Sequence, residues 1–287
     1  MRRLYSFHAC IQFLCQLGIP CQKVFFLAVL NLILAAMANP THAGVVTWQP
    51  VQAIAGDSDV DNTGTLVYAY NFGPNAGPNQ VQTVTVSGVN FQAFGAPIGE
   101  SGVQSIAIGD VILSEDFGEL NGFDTSANSG SFASLSSPYK GLLGTAIAAT
   151  YYTTMTLTLG GLDAGNSYRV QLWVNDSKKD ILYNRVQIGG DGSNTEVKTN
   201  VAGTVGDLGQ YVIGTFTATG SSQQITFVGL PDVDGTNFFT KNPIVNAFQL
   251  RLESSGQVPE PTSMAIFGLG ALGFAYQARR KKSRSKE

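Results

Sequence analysis

From residue 44 onward the sequence contains neither cysteine nor histidine; Cys10, Cys15, Cys21, His8 and His42 all precede it. Composition alone therefore excludes disulfide scaffolds, cysteine nucleophiles, Cys/His zinc sites and Ser-His-Asp triads from that region. A body without cross-links must hold by apolar burial and hydrogen bonds. Charge is scarce as well: only 13% of the 287 residues are Asp, Glu, Lys or Arg, about half the usual share. Nine of the 17 basic residues lie in the first 43 or the last nine positions. That leaves eight basic against 19 acidic residues between Gly44 and Ala278, a net charge of −11. Such a surface repels phosphate backbones, so nucleic acid is not an expected partner. Long helical periods are also missing, and Tyr139 to Ala149 supplies the one short helical candidate.

What is present starts with the two ends. Residues 1–43 carry Arg2, Arg3 and Lys23 and no acidic residue. The apolar run Val24 to Ala38 and the small-residue tripeptide Thr41-His42-Ala43 follow. This order is that of a secretory signal peptide, read by the general secretion machinery and cut by signal peptidase after Ala43. Ala38 is the other position that fits. At the far end, residues 254–287 form a polar spacer, the motif Val258-Pro259-Glu260-Pro261, an apolar run from Met264 to Ala278, and the basic cluster Arg279, Arg280, Lys281 and Lys282. The apolar run is near the shortest length for a membrane-spanning helix, and the basic cluster should stay cytoplasmic.

The Pro-Glu-Pro motif, the Gly-rich apolar segment and the basic terminus, in that order, resemble the PEP-CTERM sorting signal. The resemblance implies recognition by exosortase at Pro259, Glu260 and Pro261, with Arg279 to Lys282 as the basic tail. It also implies membrane attachment through the C-terminal helix before processing. Export through the inner membrane of a Gram-negative-type bacterium that makes extracellular polysaccharide would follow, ending at the cell surface or in the matrix.

Between the ends, residues 44–253 read as all-β. Runs such as Leu66 to Phe72, Val81 to Val86, Val103 to Leu113, Tyr151 to Leu159, Tyr168 to Val174, Tyr211 to Ala218, Gln224 to Val228 and Ile244 to Leu252 alternate or are β-branched. Gly/Asn/Asp clusters punctuate them. About ten short strands without a repeat or linker predict a single β-sandwich. The stretch Thr154 to Asn175 reads as two amphipathic strands around the turn Gly160 to Asn166. It resembles the strand pairs of jelly-roll carbohydrate-binding domains, so the fold class expected is an all-β, jelly-roll-like sandwich. A cleaved signal helix and a C-terminal transmembrane helix flank it.

Three constellations in the body carry possible chemistry. Trp173 alternates away from Tyr168, Val170, Leu172 and Val174. An outward indole there could stack on a sugar ring, with Asn175, Asp176 and Asp180 at the strand end as hydrogen-bonding partners. The alternative is that Trp173 covers an edge or packs under a loop. Asp57, Asp59 and Asp61 alternate as in the opening of a calcium loop. However, Asn62 replaces the turn glycine and Tyr68 the bidentate glutamate, so at most a structural calcium is expected; Asp232 and Asp234 offer a second possibility. Glu100, Glu115, Asp116, Glu119 and Glu196 are the carboxylates from which a glycosidase pair would have to come, and none stands in a motif. The expectation is a non-enzymatic, exported protein that binds glycan or associates with exopolysaccharide. The alternatives are a structural or adhesive matrix protein without specific glycan binding, and a glycan hydrolase or lyase.

Overall fold

The computed structural model describes residues 44–99, 102–149, 153–178, 185–230 and 242–254. The expected leader, the sorting signal, Asp180, Asp232 and Asp234 lie outside them. Among the described residues no helix is long and apolar enough to cross a membrane.

The chain opens with β1 (Thr47–Trp48) and β2 (Gln52–Ala53), a single 3-10 turn (Asp57–Asp59) and the long strand β3 (Thr65–Pro74). Next come β4 (Val84–Val86), β5 (Val89–Ala96), β6 (Ser105–Ile108), β7 (Val111–Glu115) and β8 (Leu120–Asp124). Two short helices follow, α1 (Gly130–Ala133) and α2 (Ser137–Leu143). The remainder is β9 (Thr145–Ala149), β10 (Thr154–Leu159), β11 (Ser167–Val174), β12 (Arg185–Gly190), β13 (Ser193–Lys198), β14 (Gln210–Thr217), β15 (Gln223–Gly229), β16 (Ile244–Val245) and β17 (Ala247–Ser254).

The body is mostly β and is built from several sheets. One has the order β1-β14-β11-β17-β3-β5-β4, with β2 beside β14. The second runs β13-β12-β15-β10-β7-β6, and β16-β9-β8 make a third. Strand alternation sends Val170, Leu172, Phe216, Phe248, Tyr70 and Phe72 from the first sheet into a core shared with Leu113, Leu157, Ile188, Ile225 and Phe227 from the second. Phe248 stacks on Phe72 at 5.5 Å and on Tyr70 at 5.8 Å. With each large apolar side chain contributing about 1.5–3 kcal/mol, this cluster replaces the missing disulfides.

Several sequence boundaries move, each for a local reason. Val103 to Leu113 is not one strand but the hairpin β6–β7, because Gly109 takes a φ of 57° and reverses the chain. Tyr139 to Ala149 is helix only as far as Leu143. Ser136 caps the start, its Oγ accepting from the Tyr139 amide at 3.2 Å, and the β-prone Thr145–Ala149 leaves as a strand. The hairpin β4–β5 turns on Ser87 and Gly88, with φ of 47° and 82°, as a two-residue I′ turn requires. Finally, β10 and β11 do not pair with each other. The former lies between β7 and β15, the latter between β14 and β17, so the Gly160 to Asn166 turn carries the chain from one sheet to the other.

Candidate functional site

The outer face of the first sheet is where the predicted residues converge. Odd positions of β11 point there, but they do not meet solvent. The segment from Ile54 to Thr63 and the helices α1 and α2 cover the face, forming a second apolar cluster that includes Ile54, Val60, Phe91, Phe132, Tyr139, Leu142 and Trp173. Trp173 is 0% exposed. Its indole sits edge-on to Phe91 at 5.5 Å, tilted against Tyr211, with the small Ala247 opposite it on β17. The outward sugar platform is therefore overturned. Alternation places the indole on the second face correctly, but that face is roofed rather than wet.

The roof is held by polar groups. Trp173 Nε1 donates to the Tyr139 hydroxyl at 3.0 Å, which donates to Asp59 Oδ2 at 2.8 Å. The same oxygen accepts the Ala55 and Gly56 amides at 2.7 and 3.0 Å. Burial first, and then the Asp59 charge, push the Tyr139 hydroxyl far above its usual range. Gln171 Nε2 donates to the Asp59 carbonyl at 2.6 Å, and its Oε1 accepts from Asp61 N and Gln249 Nε2. Arg169 pairs with Asp61 Oδ2 at 3.1 Å, and its Nε reaches Glu253 Oε1 at 2.7 Å. Arg251 donates to the carbonyls of Asn62, Thr63 and Gly64. One row of strand side chains thus stitches down a segment that has little regular structure of its own.

Asp57, Asp59 and Asp61 accordingly do not converge on one point. Asp57 Oδ1 accepts from Ser136 Oγ at 2.6 Å, Asp59 turns toward Tyr139, and Asp61 turns toward Arg169. Alternating acids in a 3-10 turn fan apart. Among the described residues no group of three or more His, Cys, Asp or Glu could hold a metal ion.

Asn175 and Asp176 are also structural. Asn175 is fully buried; its Oδ1 accepts from Ser177 Oγ and Gly209 N, and its amide nitrogen donates to the Leu143 carbonyl. Asn246 completes the knot, its Oδ1 taking the Asn175 amide at 2.6 Å while its Nδ2 donates to Leu143, Thr145 and Thr125. Asp176 is 7% exposed, and its Oδ1 accepts from the Lys178 amide. Nearby, burial alone would raise Asp124, but hydrogen bonds from Lys178 and Ser126 hold its carboxyl below the usual range. A groove of 480 Å³ opens beside this knot, between Ser126, Asn128, Phe132 and Lys140.

The second sheet presents the opposite kind of outer face. Its register sets Ser105, Ser114, Thr156, Thr226, Gly189 and Asn194 in one row across all six strands. Flanking rows hold Ala107, Ile112, Thr158 and Gln224 on one side and Thr154, Val228 and Gln187 on the other. These side chains are exposed or half-buried, apart from Gly189, and among the described residues no element packs over them. Among the described residues, charged groups stand at the margins of this face: Arg185 pairs with Glu196 at 3.0 Å on β12–β13, and Asp116 Oδ1 takes the Thr154 amide at the end of β7. Gly189 keeps the row continuous: a Cβ there would lie 2.5 Å from Thr226 Oγ1 and 2.8 Å from Asn194 Oδ1. The sequence signal for this face was visible in Thr154, Thr156 and Thr158, but only the register shows that five further strands extend it.

Comparison with known proteins bears on the chain's end and not on either face. No curated protein matches the chain. Two solved structures are similar to it at a low level. The crystal structure of the ANXUR1 extracellular domain from Arabidopsis thaliana is 12% identical, with a TM-score of 0.40 over 74% of this chain and 57% of that one. A crystal structure of the plant receptor-like kinase ANX1 is 10% identical, with a TM-score of 0.41 over 71% and 55%. The chain thus spans little more than half the length of either. Residues 257–281 match the PEP-CTERM protein-sorting motif, which contains Pro259, Glu260, Pro261 and the first basic residues of the tail. The chain carries this signal and is an exported, surface-directed protein of Gram-negative-type bacteria, with exosortase as its processing partner.

Proposed function

We propose that the exported body is a single jelly-roll-like β-sandwich that associates with extracellular polysaccharide without turning it over, at the cell surface or in the matrix. The observation that supports this is the uncovered outer face of the second sheet, which offers hydroxyl and amide groups in register and almost no charge. Strands lie about 4.8 Å apart, so a sugar polymer laid across the central row meets a polar side chain on five of the six strands, with Gly189 on the other. The carboxylates support the non-enzymatic reading. Asp116 Oδ1 is engaged by the Thr154 amide, Glu119 Oε2 by the Gly102 amide, and Glu196 by Arg185. Each of these three is committed to a structural hydrogen bond or ion pair. No cofactor enters this reading.

Affinity electrophoresis of the mature protein through gels of neutral and acidic polysaccharides, with and without calcium, tests it. Retardation by neutral polymer that is lost in Thr156→Lys is expected; unchanged mobility in every gel overturns glycan association. The burial of Trp173 gives the second reading its weight, because a structural or adhesive matrix protein needs no aromatic platform. That reading predicts self-association instead, seen as concentration-dependent mass in sedimentation. Delivery is tested separately. Export through the general secretion machinery and signal peptidase should be followed by exosortase cleavage. Replacing Pro259, Glu260 and Pro261 with alanine should leave the unprocessed form in the inner membrane, and neutralising Arg279 to Lys282 should lower the yield of processed protein.

A further inference from the structure

The two ends of the folded body leave it at one place. Ser254, the last residue of β17, stands opposite Ser167 on β11, and Ser167 stands opposite Thr217 on β14. Gly44 packs against the Thr217 carbonyl so closely that a Cβ would collide with it, and Thr47 then pairs with Thr215. Ser254 and Thr217 are thus two strand spacings apart, about 10 Å, at the same end of the same sheet. The opposite end of β11 and β14, at Val174 and Gln210, leads into the Asn175–Lys178 knot. The groove between Ser126 and Lys140 opens at that far rim, tied to the knot by the bond from Ser177 N to the Thr125 carbonyl.

We propose that this topology fixes which way the body faces while the sorting signal holds it: the Gly44/Ser254 end lies against the membrane, and the rim with the Ser126–Lys140 groove points away from it. The inference rests on the sorting reading, because it needs the apolar run from Met264 to lie in the membrane. The connection is short. Four residues separate Ser254 from Pro259, and Met264 is ten residues on from Ser254. A random coil of ten residues has a root-mean-square reach of about 17 Å, whereas the eight residues of β11 alone span about 27 Å. Turning the body end over end would require the segment to run the length of the strands and round a loop. The tether therefore keeps the near end down, presents the Pro259–Pro261 motif beside that end, and leaves the far rim and the uncovered outer face of the second sheet open to the polymer layer.

The cysteine-free body makes the test clean. In the full chain, with Cys10, Cys15 and Cys21 replaced by serine and Pro259, Glu260 and Pro261 by alanine, Thr217→Cys marks the near end and Asn128→Cys the far rim; both positions are exposed. A thiol-reactive dye on each is read in isolated membrane vesicles containing a lipid-borne quencher. The dye at position 217 should be quenched several-fold more than the dye at 128; equal quenching, or the reverse order, overturns the proposal. Inserting about twenty Gly/Ser residues after Ser255 should abolish the difference, because the reach then exceeds the strand length; a difference that persists overturns the tether as its cause. Absence of the unprocessed chain from the membrane fraction would remove the sorting reading itself, and the proposal with it.

Discussion

The outer face of the eight-residue-long β11 and its neighbours is roofed, while the outer face around β10 is bare, although ordinary strand alternation builds both. On β11 the outward positions are Arg169, Gln171 and Trp173; on β10 they are Thr154, Thr156 and Thr158. The first set consists of long side chains with hydrogen-bonding tips (a guanidinium, an amide and an indole N–H), which can reach into a covering segment and satisfy its loose polar groups. The second consists of short β-branched alcohols, which suit an exposed pleated surface and reach nothing beyond it. The roof exists because the side chains beneath it can hold it. The bare face stays bare because its side chains ask for no partner but water or another hydroxyl-bearing molecule.

The largest effect is therefore expected under the roof. Trp173→Ala empties a fully enclosed site and leaves the Tyr139 hydroxyl without its indole donor. It should cost about 3–5 kcal/mol of stability in denaturant unfolding. A cost near zero would mean that the face is open after all. Tyr139→Phe is the finer cut, because it keeps the ring and removes the bridge between Trp173 and Asp59. It should cost about 1–3 kcal/mol. The pH dependence carries a second signature. With its folded-state pKa raised above the ordinary 10.0, Tyr139 contributes stability that is present below that value and is lost as pH rises above it. The variant's alkaline loss of stability should be shallower than that of the unaltered protein.

How much of this was legible beforehand follows from the same contrast. Alternation located both faces, the all-β character and most strand centres, because period two is a local property of sequence. Whether a face is covered is not local. The roof comes from residues 54–63 and 129–143, thirty or more positions from Trp173, and nothing in the spacing of Asp57, Asp59 and Asp61 reveals that each carboxylate meets a different partner. The same limit applied to β10 and β11, which read as a hairpin yet belong to different sheets, since a seven-residue turn can close a hairpin or cross a core equally well. The sorting signal was legible in full because its parts are contiguous in the chain.

Beside the Asn175–Lys178 knot, Asp124 offers a smaller test. Burial opposes its charge, but Lys178 and Ser126 hold its pKa below the ordinary value. Its contribution is present above that value and disappears as pH falls through the folded-state one. Asp124→Asn should flatten the acid limb of the stability profile by removing the contribution made at neutral pH, a small one because Lys178 is more than half exposed and screened by water. An unchanged acid limb would show that the pair does not order the knot.

The smallest stability effect and the most informative binding effect belong to the bare face. Thr156 sits at the centre of the six-strand row and makes room for neighbours on both sides, so Thr156→Val keeps the β-branched shape and removes only the hydroxyl. Unfolding stability should stay within about 0.5 kcal/mol of the unaltered protein. If the row holds polymer through hydroxyls in register, retardation by neutral polysaccharide should nevertheless weaken in Thr156→Val and weaken again in Thr156→Val with Thr226→Val, because each removes one of the adjacent groups along the row. If the face serves only as a smooth, soluble exterior, both variants should run like the parent in every gel. The two faces would then differ in covering alone, and not in what they bind.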